Sequence, residues 1–235
     1  MNRSKRNRFL CSLFLLIFLV GCNNHNTARF IEHKFEDRAV ILDVALIQQY
    51  PHYPTGCESV TAVMALQHSG FSITVDEFID HHLPTSSSFY QKDDVLYGPD
   101  PNSVFVGDPR SENSYGCMSP VIYTALQSYV NGRKEIIDTS GTDLNPLCET
   151  YIDNGTPVIL WATMDMKKAT AGNSWFLEDG RFYVWTAGEH CLLLIGYNDR
   201  EYIFNDPRYG APVAYPKEAV EINYAALGKQ SLVIQ

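Results

Sequence analysis

Long apolar runs are scarce in this chain. The longest, Phe9–Val20, is shorter than the roughly 20 residues a helix needs to cross a bilayer, so no membrane-spanning helix is expected. Basic residues are outnumbered: 18 Lys and Arg stand against 27 Asp and Glu, a formal charge of −9. That balance disfavours nucleic acid and anionic headgroups as partners. Cysteine is sparse, with six in 235 residues, too few to staple a domain of this size. No CxxC pair and no Cys/His spacing of a structural zinc site occurs, so no metal and no other cofactor is expected. There is no internal repeat.

Apolar residues make up 45% of the chain, enough for one globular domain with a real core. The first 21 residues stand apart. Arg3, Lys5, Arg6 and Arg8 form a basic head, and the apolar run that follows ends in Leu19-Val20-Gly21-Cys22. This arrangement resembles the lipobox of bacterial lipoproteins, whose cysteine is acylated and becomes the new first residue. The resemblance implies a signal peptide over 1–21 and a lipid on Cys22, holding the protein on the extracytoplasmic face of the cell membrane. Residues 22–38 are polar and read as a tether, with one domain over 39–235. Without its basic head the chain keeps 14 Lys and Arg against 27 acids, a charge of −13, so acyl chains rather than charge must hold it there.

Along the domain, Ala39–Leu46 reads as a strand leading to Gln48 and Gln49. Thr55 and Glu58 have capping-box spacing, Val60, Val63 and Met64 recur at helical intervals, and Gly70 supplies the stop. Thr74 and Glu77 cap a second short helix towards Leu83, with His81 and His82 as surface residues at its end. Residues 84–120 are rich in Ser, Asp, Gly and Pro, carry Phe89, Tyr90, Tyr97, Phe105 and Tyr115, and should form a loop that walls a cleft. Ser119-Pro120 opens a helix through Tyr129, and another covers Pro146–Ile152. From Pro157 the texture turns to β: a strand over 158–163, an aromatic stretch from Trp175 to Gly188, and strands over 190–197 and 201–205 around Asn198-Asp199-Arg200. A helix over 217–227 and a strand over 231–235 close the chain. Helices first and an antiparallel sheet after point to an α+β fold.

One cysteine stands out. Cys57 falls in the first turn of its helix, where free N–H groups and the helix dipole favour a thiolate, and Gly56 leaves room for approach. Such a thiol would alkylate faster than Cys117, Cys148 and Cys191, even below pH 6. A nucleophile of this kind needs a base and a group to orient it. His190 opens one strand of the predicted hairpin and Asp206 follows the other, so folding back near Asn198 brings them together. An odd loop or a bulge places Asp206 beside His190; an even loop places Asn205 nearer.

The blocks Asp43-Val44, Gln49-Tyr50-Pro51, Pro54-Thr55-Gly56-Cys57-Glu58-Ser59, Tyr115-Gly116-Cys117, Gly155-Thr156-Pro157-Val158 with Trp161, Glu189-His190-Cys191 through Gly196-Tyr197, and Asn205-Asp206-Pro207 are similar to a known set. They resemble papain-like cysteine peptidases of the bacterial double-glycine (bacteriocin-processing) peptidase-like group, over about 39–235. The resemblance implies a helical N-terminal part carrying the nucleophile, packed on a C-terminal antiparallel sheet carrying His and Asp. It makes Cys57 the nucleophile, His190 the base and acid, Asp206 the orienting carboxylate and Gln49, or Gln48, the oxyanion donor. Cys117, Trp161 and Trp185 are then expected to touch substrate. No transporter segment or ATP-binding motif is present, so leader-peptide cleavage during export does not carry over.

The expected activity is hydrolysis of a peptide or amide bond by a monomer, acting on a peptide or protein, including a cell-wall peptide. Two alternatives use the same cleft: an acyltransferase or transpeptidase with a different second acceptor, and a catalytically idle module that binds peptide or glycopeptide.

Overall fold

An antiparallel sheet covered by helices on both faces organises this computed structural model, which describes residues 29–30 and 39–235. Cys22 and most of the tether lie outside the described residues. The chain begins with β1 (Arg29–Phe30), β2 (Val40–Ile41), α1 (Cys57–His68) and α2 (Val75–His82). Four short strands follow: β3 (Thr85–Ser86), β4 (Tyr90–Lys92), β5 (Val95–Tyr97) and β6 (Phe105–Val106). Then come α3 (Ser119–Val130), β7 (Ile136–Asp138), α4 (Leu144–Thr150), β8 (Val158–Thr163), β9 (Thr170–Phe176) and β10 (Phe182–Ala187). The last elements are β11 (Glu189–Tyr197), β12 (Glu201–Asn205), β13 (Val213–Pro216), α5 (Lys217–Ala226) and β14 (Ser231–Ile234).

The main sheet has eight strands in the order β1-β13-β12-β11-β8-β14-β7, with β2 paired to the far end of β11. Every pairing in it is antiparallel, and the fold is α+β. β8 and β11 read as unbroken apolar runs because both of their faces are covered. Ile159, Trp161, Cys191, Leu193 and Ile195 join the core built with α1, α2 and α3. Val158, Leu160, Ala162, Leu192 and Leu194 alternate with them into the core built with α4 and α5. α1 is buried from Cys57 to Leu66, so it has no polar face at all there.

Three expectations change. The strand expected over Ala39–Leu46 shrinks to Val40–Ile41, and beyond it Leu42 N–H bonds to the sheet at Ile195 O (2.8 Å). The long 84–120 segment is not a bare loop: β4 and β5 join β9 and β10 in a second sheet of order β10-β9-β5-β4, while β3 pairs with β6. And Thr55 does not cap α1. Gly56 is the N-cap with no side-chain cap bond, and the Thr55 hydroxyl donates to Ser111 O at 2.9 Å. Thr74 does cap α2, accepting from Glu77 N–H at 3.1 Å.

Leu193 sits at the middle of this arrangement and is fully buried. Leu193→Ala should cost about 2–5 kcal/mol in denaturant unfolding, the usual range for a core leucine. Ile222→Ala, at a position 59% exposed on α5, should stay within about 0.5 kcal/mol. Similar costs for the two would show the core to be misplaced.

Candidate active site

Cys57 is held where it is by the loop that follows β6. Thr55 N–H bonds to Pro109 O (3.3 Å), and Arg110 reaches over to Asp76 (2.7 Å) and Asp80 (2.9 Å) on α2. A methyl group on Gly56 would lie 2.9 Å from Pro109 Cβ and 3.0 Å from Tyr53 Cβ. The glycine is thus needed for this close packing, and does not open a path for substrate as expected.

The Cys57 thiol is 5% exposed and donates to Glu58 Oε2 at 3.3 Å. Glu58 Oε1 accepts the Cys117 N–H at 2.6 Å, so one wholly buried carboxyl ties the start of α1 to the 115–117 turn. Gly116 (φ +140°) permits that approach, since a Cβ there would collide with Glu58 Oε1. Glu189, one residue before His190, comes from β11 to the same place. Cys57, Glu58 and Glu189 each bring a ligating atom within 4.8 Å of the others. Glu189 Oε1 is buried and has no hydrogen-bond partner among the described residues.

This chemistry reverses the expectation for Cys57. Burial pushes its thiol well up, and the charges of Glu58 and Glu189 push it further. Burial also raises the Glu58 carboxyl to about 7 against the Cys117 N–H that would lower it. Burial and then the charge of Glu58 carry Glu189 well above the usual carboxylate range. Two carboxyls this close in a dry site cannot both ionise cheaply, so the pair holds a proton near neutral pH.

His190 and Asp206 do meet. His190 Nε2 and Asp206 Oδ1 are 2.8 Å apart, and both residues are buried. The reason lies in the hairpin. Next to the turn the register pairs Tyr197 with Tyr202 and Gly196 with Ile203, and it shifts between Leu194 and Gly196, so that Leu193 faces Asn205. Continuing that register sets Asp206 across from Leu192, on the face that His190 shares, and Asn205 on the other. Asp206 is therefore a diagonal neighbour of His190 rather than directly opposite it. Asn205 instead donates to Val44 O at 2.9 Å.

The Asp206 carboxylate is fixed further by Arg208 N–H at Oδ1 (3.0 Å) and the Tyr215 hydroxyl at Oδ2 (3.2 Å). Burial alone would raise it, but the charge and hydrogen bond of His190, followed by the Arg208 contacts, bring it below its ordinary value. His190 Nδ1 is buried without a hydrogen-bond partner among the described residues. Cys57 does not supply one; its sulfur faces Glu58, although the charge of His190 is felt at Glu58.

Gln49 is buried, with Nε2 donating to Pro54 O at 2.9 Å and Oε1 without a partner among the described residues. Gln48 is exposed and lies against Gly210, Nε2 being 3.1 Å from where a Cβ would stand. Cys117 and Trp161 are fully buried, and Trp161 Nε1 donates to Cys117 O at 3.0 Å. Both lie beneath the site, corrected from the substrate-facing position expected of them. Trp185 is 7% exposed and packs edge-on against Tyr115. Cys117 and Cys148 are free thiols, as are Cys57 and Cys191.

Glu58, Glu189, Arg208 and Tyr215 carried no site role in the sequence reading. A signal for the first was present: a glutamate on a helix with no polar side through Leu66 has nowhere to go but inward.

Known proteins share this framework. The structure superposes with a TM-score of 0.74 on a crystal structure from Bacillus anthracis assigned as a C39-like peptidase, at 25% identity over 85% of this chain and 98% of that one. The uncharacterized protein YvpB of Bacillus subtilis (strain 168) is 25% identical over 219 residues, covering 92% of this chain and 84% of that protein. The model of the peptidase C39-like family matches residues 41–232, from β2 to β14 and so across Cys57, His190 and Asp206; the chain belongs to that family.

Proposed function

We propose that this chain is an exported, lipid-anchored cysteine peptidase or amide hydrolase. Cys57 is the nucleophile, His190 the base and acid, Asp206 the orienting carboxylate and Gln49 a donor to the oxyanion. One observation carries the reading: an imidazole locked to a buried carboxylate at 2.8 Å, with its other nitrogen buried and without a partner among the described residues. An orphaned buried nitrogen is a cost to the fold, and the proton of an attacking thiol is what it lacks.

The carboxyls around Cys57 determine how attack proceeds. They disfavour a standing thiolate, so the proton leaves as the bond forms. Rotation about Cα–Cβ takes the sulfur from Glu58 towards His190. Nδ1 accepts the proton while sulfur bonds to the carbonyl carbon and the π electrons move to oxygen. N–H groups at the start of α1 and the second N–H of Gln49 Nε2 stabilise that oxygen. Collapse breaks the C–N bond, the amine leaves with the proton from His190, and water hydrolyses the thioester through the same nitrogen. An amine in place of water makes the same residues a transpeptidase. The substrate class is a peptide or protein, including a cell-wall peptide, and the family's double-glycine specificity is not carried over. The idle-module reading has one observation in its favour, the burial of Cys57 against Glu58.

Cleavage of a peptide library should be lost in Cys57→Ala and fall about 10²–10⁴-fold in His190→Ala, the usual size of acid–base assistance. Asp206→Asn should lower it by less. Full cleavage by His190→Ala would leave the base elsewhere.

Export rests on Cys22 and the segment before it, and no helix among the described residues is long and apolar enough to cross a membrane. Cys22→Ser should move the protein out of the membrane fraction; an unchanged distribution would remove the lipid anchor from the proposal.

Glu58→Gln keeps an acceptor for Cys117 N–H and removes a negative charge from the sulfur. Alkylation of Cys57 by iodoacetamide at pH 7.5 should speed up, with its midpoint moving to lower pH. Stability should respond as well. Because folding raises the Glu58 carboxyl from 4.5 to about 7, the folded state binds more protons within that window, and wild-type stability should fall as pH rises through it. Glu58→Gln should flatten that slope. A wild-type thiol that already alkylates fully below pH 6 would overturn the account of both carboxyls.

A further inference from the structure

The second sheet carries a row of four aromatic rings. Tyr90 pairs with Tyr97, Tyr97 with Phe176, and Phe176 with Phe182, one ring from each strand. Directly paired residues share a face, so the rings line up across the sheet with centroids 5.2, 6.0 and 5.0 Å apart. Tyr90 and Tyr97 are stacked within 8°. The neighbouring Trp175 and Tyr183 point the other way and pack on each other, with Trp175 also against Phe89 and Tyr115. The row is open at its two ends, with Tyr97 and Phe176 half-buried between them: Tyr90 is 45% and Phe182 59% exposed, and Val184, on the same face as Phe182, is 44% exposed. Exposed apolar rings gathered in one place mark an interaction surface.

Charge selects the occupant. Asp93 and Asp94 form the β4–β5 turn, and Asp100, Glu178 and Asp179 stand at the opposite end, while Lys92 and Arg181 are the basic residues of these strands and turns. Arg181 is already engaged by Asp179 (2.7 Å) and Asp100 (3.0 Å). Tyr90 also lines a cavity of about 380 Å³ whose walls include Ser86, Ser88, those three carboxylates and Arg181, so Glu178 is the carboxylate there beyond the pair that Arg181 engages. Acidic partners are repelled there, and ammonium or guanidinium groups are favoured both by the carboxylates and over the ring faces. The row spans three interstrand spacings, roughly 14 Å, which matches about four residues of extended chain.

We infer that this sheet face binds an extended peptide segment bearing Lys or Arg, with cationic groups over the rings and in the cavity beside Tyr90. The inference goes beyond the catalytic reading and does not rest on it.

The test is binding of a fluorescein-labelled lysine-rich peptide to the full chain, measured by anisotropy. Controls are the same peptide with glutamine or glutamate for lysine, and an N-acetylglucosamine oligomer as competitor. The lysine peptide should bind about tenfold more tightly than the glutamine version. Tyr90→Leu with Phe182→Leu should lose about tenfold, and Tyr90→Phe should retain binding. Asp93→Asn with Asp94→Asn should weaken binding without touching the rings. Circular dichroism and the rate of Cys57 alkylation report whether each variant is folded. Equal affinity for lysine and glutamine peptides, full binding by folded leucine variants, or displacement by the sugar oligomer would each overturn the inference.

Discussion

A buried carboxyl without a cation sets the terms for this site. Glu58 draws on the Cys117 amide and the Cys57 thiol, and a second acid, Glu189, stands beside it. Neither makes a salt bridge among the described residues. Burying an unpaired charge is costly unless it is neutralised or well bonded, so the arrangement survives by keeping a proton. Everything near it conforms: the glycine at 116, the turn that delivers the Cys117 amide, and the Trp161 indole that anchors the Cys117 carbonyl from below.

The other half of the site depends on a shift of register. Without the irregularity between Leu194 and Gly196, the pairing nearest the turn would place Asn205 on the His190 face and Asp206 away from it. The bulge thus decides between a carboxylate and an amide as the partner of the imidazole. The Tyr215 hydroxyl and Arg208 N–H then hold that carboxylate from β13 and from the turn after β12.

Much of this was legible in the chain. Helical spacing from Val60 to Met64, the Ser119-Pro120 start and the Asn198 turn mark elements the structure contains, because local pattern and burial agree there. His190 and Asp206 could be brought together by a hairpin argument, but the bulge that aligns them comes from the sheet's two-sided packing, with no local signature. The Thr55–Glu58 spacing misled because a tertiary contact, Thr55 to Ser111 O, outcompeted the local cap and released Glu58 inward. Residues 84–120 looked like a loop since strands of two and three residues carry too little periodicity to read, and their partner β9 lies far along the chain.

Magnitudes explain why the helix start does not make Cys57 acidic. A helix N-terminus favours an adjacent anion by about 0.3–1 kcal/mol, and up to ~2 kcal/mol in partly buried geometries. One ionised carboxylate about 4 Å away opposes it by about 4 kcal/mol even at an effective dielectric of 20. Desolvation adds to the opposition. The dipole therefore loses while Glu58 is charged and is felt only when the acid pair is neutral. In the proposed enzyme, proton uptake by Glu58 and proton loss from Cys57 are linked: each makes the other easier. A cationic peptide bound near the site would work in the same direction on the thiol, since positive charge offsets the field of the two carboxyls. In the proposed enzyme, a cationic substrate would therefore complete the electrostatics that the free protein leaves unbalanced.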